Sequence, residues 1–199
     1  MNRKTIFLLS VVVLSAACFF TGCQSPKPPP GSSAAQSMRN NCYSLLHQLL
    51  QDQQNVSMLR FIKREHSDVR NLINRIATTS GASSKLLEEF ARQDHSIDLK
   101  AIRLPPGETA VRKAIASTKE KEILGQSGNE FELTLLLTQT EALSYAWHLA
   151  KIAGQNDSQP DRARALAGVS KDMQHLYDDV FAMLLAKSQS SVTNSSKTL

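Results

Sequence analysis

Apolar residues recur along this chain at spacings of three and four, and no stretch shows the period-two alternation of a half-buried strand. Cys42, Leu45, Leu46, Leu49 and Leu50 share a face and predict a first helix over residues 37–53. Asn55-Val56-Ser57 can break it, with Ser57 as a cap. Leu59, Ile62, His66, Val69, Ile73 and Ile76 then trace one stripe of a second helix, which Gly81 is expected to end. Ser83 and Ser84 are candidate caps for a short segment, 85–93, that carries Leu86, Leu87 and Phe90. After a connection over 94–107 that stops at Leu104-Pro105-Pro106-Gly107, a helix over 109–124 has Val111, Ala114 and Ile115 on its apolar side, a side that can extend to Leu124. Gly125 and Gly128 end it.

Residues 131–153 are the most apolar segment, with Leu133, Leu135, Leu136, Leu137, Leu143, Trp147, Leu149 and Ile152 leaving almost no polar side. A helix apolar nearly all round is buried among others, and its Thr, Gln and Glu residues favour a bundle centre over a membrane span. Asp157 or Ser158 can cap the last helix, with Pro160 in its opening turn. Leu166, Val169, Met173, Leu176, Val180 and Met183 form its stripe. The pattern predicts an all-α protein: one up-down bundle of four main helices plus one or two short ones over residues 38–187.

The N-terminus has a different character. Residues 6–20 are apolar or small, follow Arg3 and Lys4, and lead into Thr21-Gly22-Cys23. A basic start, an apolar run too short to span a bilayer and small residues before a cleavage point make an export signal. The ending resembles the lipobox of bacterial lipoproteins, with Phe20 where that family usually has Leu. The resemblance implies cleavage after residue 22, lipidation of Cys23 and attachment to a membrane by several acyl chains, which together anchor firmly. Gln24 is not the Asp that commonly retains lipoproteins in the inner membrane, so a periplasm-facing position on the outer membrane is favoured. Residues 23–37, with Pro26, Pro28, Pro29, Pro30 and Gly31, read as a lipidated cysteine and tether of about 40 Å where extended. The Ser/Thr-rich residues 188–199 read as a disordered tail.

Loss of residues 1–22, with two cations and no anion, takes the formal charge from +5 to +3, too mild to suggest nucleic acid. Cys18 would leave with the signal and Cys23 would take lipid, so Cys42 stands alone as an inert thiol expected to be buried.

Glu65-His66-Ser67 in the second helix, Leu104-Pro105 in the middle connection and Gly128-Asn129-Glu130-Phe131-Glu132 before the central helix carry a further resemblance. Over roughly 38–185 the chain resembles the ferritin-like exported bundles of the domain-of-unknown-function class called predicted outer membrane proteins. That family shows Asp-His-Ser, Leu-Pro and Gly-x-x-Phe-Asp at these places. Its further histidine after the Phe-Asp pair has no counterpart in Thr138-Gln139-Thr140-Glu141-Ala142-Leu143, nor has its early acid near residues 39–41.

Candidate chemistry is sparse. A di-metal carboxylate bundle needs Glu-x-x-His pairs, because residues three apart share a helix face. The residues three before the five histidines are Ser44, Lys63, Arg92, Tyr145 and Asp172, which argues against a ferroxidase-type centre. Asp172-x-x-His175 with Asp179 is the nearest substitute and reads as a solvated face. Glu65, His66, Glu132, Glu141 and His148 form the alternative, a degenerate metal site. Against it, His66 lies on the apolar stripe as a satisfied core histidine, Glu132 is a lone acid at a helix start, and Glu141 and His148 lie about 10 Å apart along one axis. Arg60, Lys63, Arg64, Arg70 and Arg75 give the second helix a basic outer side, a solvated face or one that could meet anionic head groups. No nucleophile elbow, phosphate loop or Cys/His signature is present, so no catalysis and no cofactor is expected. The expectation is a lipid-anchored bundle with a binding or structural role, partnered by the membrane and by an envelope protein. Nothing in the sequence sets its oligomeric state.

Overall fold

The computed structural model describes residues 33–56 and 66–195, with side chains described through residue 189. Among the described residues the protein is all helical: α1 (Ser33–Asn55), α2 (Ser67–Gln93), α3 (Pro106–Gly125), α4 (Gly128–Asn156) and α5 (Pro160–Ser195). None is long and apolar enough to cross a membrane.

Side-chain pairs set the directions. Arg39 near the start of α1 lies 3.8 Å from Asp94 at the end of α2, and His47 Nε2 lies 3.1 Å from Glu88 Oε1, so α1 and α2 are antiparallel. Tyr43 reaches Asp157 at the end of α4, which makes α1 and α4 antiparallel too. Lys187 on α5 contacts both Asp68 on α2 and Glu132 on α4, near the starts of those helices. α2 and α4 therefore point the same way, at opposite corners of a four-helix arrangement. α2 ends where α4 also ends, so the chain must travel the bundle's whole length before α4 can begin. α3, about 30 Å long, makes that journey along the outside of α4.

The core is built from the stripes that periodicity marks: Cys42, Leu46 and Leu50 on α1, Val69, Ile73 and Ile76 on α2, and Leu166, Val169, Met173, Leu176 and Val180 on α5. α4 contributes Phe131, Leu135, Leu136 and Leu143, and it touches α1, α3 and α5.

Several expectations are corrected. α2 does not stop at Gly81; it runs unbroken through the expected short helix, and Ser83 and Ser84 are buried in its interior instead of capping. An interior glycine costs about 1 kcal/mol against alanine, and the burial of Leu87 and Phe90 farther along the same helix outweighs it. Gly128 does not end α3 but opens α4, at φ +57°, a left-handed backbone that glycine adopts freely. α1 starts at Ser33, inside the stretch expected as tether, and α5 continues to Ser195, into the expected tail.

The apolar side of α3 is not its packed side. Val111 and Ile115 are 54% and 53% exposed, Ala114 and Leu124 are exposed too, and only Ile123 is buried. α3 leans on α4 through the neighbouring arc, where the Arg112 guanidinium lies 4.8 Å from the centre of the Tyr145 ring. α4 is not apolar-and-buried all round: Leu137 is 44% exposed and Ile152 is also open, because α4 keeps an outward face between α3 and α5.

Candidate functional site

Two polar clusters close the two ends of the bundle. At the end where α2 and α4 begin, Glu132 sits in the second turn of α4, flanked by Phe131 and Leu135. Helical periodicity turns it inward, and it is 1% exposed. Its Oε1 accepts the His66 backbone N–H at 2.5 Å and lies 2.8 Å from His66 Nδ1. Its Oε2 lies 2.9 Å from Lys187 Nζ, and that ammonium is also 3.5 Å from Asp68 Oδ2. Burial would raise the Glu132 carboxyl, but the Lys187 ammonium and the two His66 donors outweigh it and hold the group below its ordinary value.

This overturns two expectations. His66 is not a core histidine on a helical stripe: it is the N-cap residue of α2, its side chain 72% exposed. Glu132 is not a lone acid at a helix start but the buried hub of a network spanning three helices. Of the residues nominated as a metal site, the fold brings His66 and Glu132 together. Glu141 and His148 stay on the exposed face of α4, where His148 Nδ1 lies 2.7 Å from the Ser144 carbonyl oxygen. Glu65 and Cys23 lie outside the described residues, as do Leu59, Arg60, Ile62, Lys63 and Arg64. Among the described residues no group of three or more His, Cys, Asp or Glu side chains could hold a metal ion. Asp172 and His175 are exposed, and Asp179 pairs with Arg75 at 2.6 Å.

At the opposite end, Asp157 terminates α4 and is buried. Its Oδ1 accepts the Gln159 N–H in a turn ahead of α5, so Asp157 is not the helix cap foreseen for it: Gln159 holds that position, its carbonyl taking the first helical hydrogen bond from Ala163. Arg162 grips both carboxylate oxygens at 2.9 and 3.0 Å, and Tyr43 Oη donates to Oδ2 at 2.9 Å. Burial pushes the Asp157 carboxyl up, and Arg162, the Gln159 N–H and Tyr43 more than reverse it. Burial, then the facing carboxylate, raises the Tyr43 hydroxyl far above its usual range. Arg162 also reaches Asp94 at 3.0 Å, and Arg39, itself buried, donates to Ser96 Oγ at 2.9 Å.

Sequence reasoning did not single out Arg39, Tyr43, Asp94 or Arg162. Arg39 and Tyr43 do carry a local signal, since both fall on the α1 face that also carries Cys42 and Leu46. Cys42 is buried as expected, and burial pushes its thiol up to about 11.

No protein-family model, no curated protein and no solved structure matches this chain.

Proposed function

We propose that this chain is a lipid-anchored protein of the bacterial cell envelope, facing the periplasm from the outer membrane, whose helical bundle binds a partner or serves a structural role without catalysis. The observation that carries the reading is the export-signal pattern ending at Thr21-Gly22-Cys23, with a proline-rich stretch between the cysteine and α1. The bundle is read as ferritin-like, and the single long crossover through α3, linking two helical hairpins, supports that assignment. Both end clusters are internally compensated: each buried carboxylate has a cation and further donors in contact, the pattern of structural closure.

Metabolic labelling with palmitate tests the anchor. Wild-type chain is expected to take up label and to partition with membranes, and Cys23→Ser chain to do neither. Equal retention and processing of both would refute the reading.

The rival reading is a metal-binding bundle, and the His66–Glu132 contact is what favours it. Lys187 weakens it, because an ammonium 2.9 Å from the second carboxylate oxygen competes with any divalent cation there. Metal analysis of the purified protein discriminates: stoichiometric iron, manganese or zinc, lost on His66→Ala, would replace the binding-only reading. A third class, an assembly lipoprotein of a secretion system, predicts recovery of one specific membrane protein after crosslinking.

A further inference from the structure

A trough of about 580 Å3 runs between the second half of α4 and the first half of α5. It exists because the two helices approach closely over small residues: a Cβ on Gly154 would lie 3.2 Å from the Ala163 carbonyl oxygen and from Leu166 Cβ. Beside this narrow floor stand Trp147, Lys151 and Gln155 of α4 and Lys171 and Gln174 of α5. Trp147 is the chain's single tryptophan and is half-buried. Its ring centre lies 4.5 Å from that of His148 and 6.2 Å from that of Tyr177. Lys151 and Lys171 are exposed, no carboxylate lines the trough, and neither lysine is in an ion pair among the described residues.

We propose that this trough binds an acidic saccharide. A sugar ring offers an apolar C–H face that stacks on an indole, and its hydroxyls suit amide side chains such as Gln155 and Gln174. Carboxylates on the same ligand meet two lysines whose positive charge nothing else in the trough offsets. Trp147 to Gln155 spans eight residues, about 12 Å of helix, room for a short oligosaccharide. A small inorganic anion would leave the aromatic plate unused, and a neutral sugar would leave the lysines unused. The other trough of similar size, between α2 and α5, is less suited: Arg75 there is committed to Asp179, and Asp172 adds a negative charge. The inference uses α4 and α5 alone and stands whether or not Cys23 carries lipid.

Trp147 reports on its own site. The full chain in detergent solution is titrated with trigalacturonate while tryptophan emission is followed, with maltotriose, tetraglutamate and citrate as comparisons. Trigalacturonate is expected to give a saturable change, and Lys151→Gln or Lys171→Gln to weaken it about tenfold each, the loss of one charge-assisted hydrogen bond. Maltotriose and citrate should bind at least about tenfold more weakly. Trp147→Phe, followed by calorimetry, should bind trigalacturonate poorly while keeping wild-type helicity by circular dichroism. No saturable change with trigalacturonate at millimolar concentration, or affinity unmoved in both lysine variants, would overturn the proposal. Tetraglutamate binding as tightly would overturn it in favour of an acidic peptide ligand.

Discussion

The Tyr43 hydroxyl donates to Asp157 Oδ2 across 2.9 Å, joining residues 114 positions apart and tying the start of the bundle to the turn between its last two helices. Because Asp157 also holds Arg162 with both oxygens, the two partners are not equivalent. Tyr43→Phe loses one hydrogen bond and should cost about 1 kcal/mol. Asp157→Ala removes the acceptor of two other groups and leaves Arg162 dependent on Asp94, and should cost about 3 kcal/mol. Urea denaturation of both variants checks the order.

Glu132 makes stability depend on acid. Its folded-state pKa lies below the ordinary 4.5, so its contribution is fully present above that value and is lost as pH falls through the lowered folded value. Asp157 acts in the same direction from 3.8 downward. Wild-type protein should lose thermal stability steeply below about pH 4.5. Glu132→Gln should be less stable at pH 7 and show a shallower acid slope. An unchanged slope in melting curves over pH 3 to 7, recorded at roughly half-unit steps, would refute the assignment.

Two helix-interior glycines should respond oppositely to alanine. At Gly81 the new Cβ meets the side chain of Gln54, an exposed residue near the end of α1 that can move aside. The helical preference for alanine should then win, and Gly81→Ala should be neutral or stabilising by up to about 1 kcal/mol. At Gly154 the Cβ meets the backbone of α5 and Leu166 Cβ, neither of which yields without separating the helices. Gly154→Ala should therefore destabilise by about 1–3 kcal/mol, as overpacking does. Thermal melts of the pair decide it.

Cys42 should be slow to react. Its thiol is buried and its pKa is pushed up to about 11, so little thiolate exists or is reachable at pH 8. In a chain carrying Cys18→Ser and Cys23→Ser, a maleimide should label Cys42 at least about a hundredfold faster in denaturant than in buffer. Rapid labelling of the folded protein would contradict its place in the core.

The last helix was legible because its stripe of Leu166, Val169, Met173, Leu176 and Val180 repeats over four turns and is buried as a unit. Periodicity describes one helix at a time, and the errors fall where a second helix decides. Gly81 reads as a stop until Leu87 and Phe90 beyond it are known to pack into the same core. Val111, Ala114 and Ile115 read as a packed side until α3 is known to rest on α4 through Arg112. For Glu132 the inward register beside Phe131 and Leu135 was visible in the sequence, whereas its partners lie 66 residues before it on His66 and 55 after it on Lys187. The pairing of Glu141 and His148 with that cluster failed on geometry: they fall on the outward side of the helix whose inward side carries Glu132.

Because α3 alone joins the α1–α2 pair to the α4–α5 pair, and each pair holds its own cross-helix contacts, the molecule is divisible at that span. Cut between Gly107 and Gly125, it becomes two interlocking clasps, each a hairpin with one apolar side open to the other. Fragments 1–115 and 116–199, made separately and mixed, should recombine into a folded heterodimer, the broken backbone replaced by the Tyr43, Lys187 and Arg162 contacts that already bridge the halves.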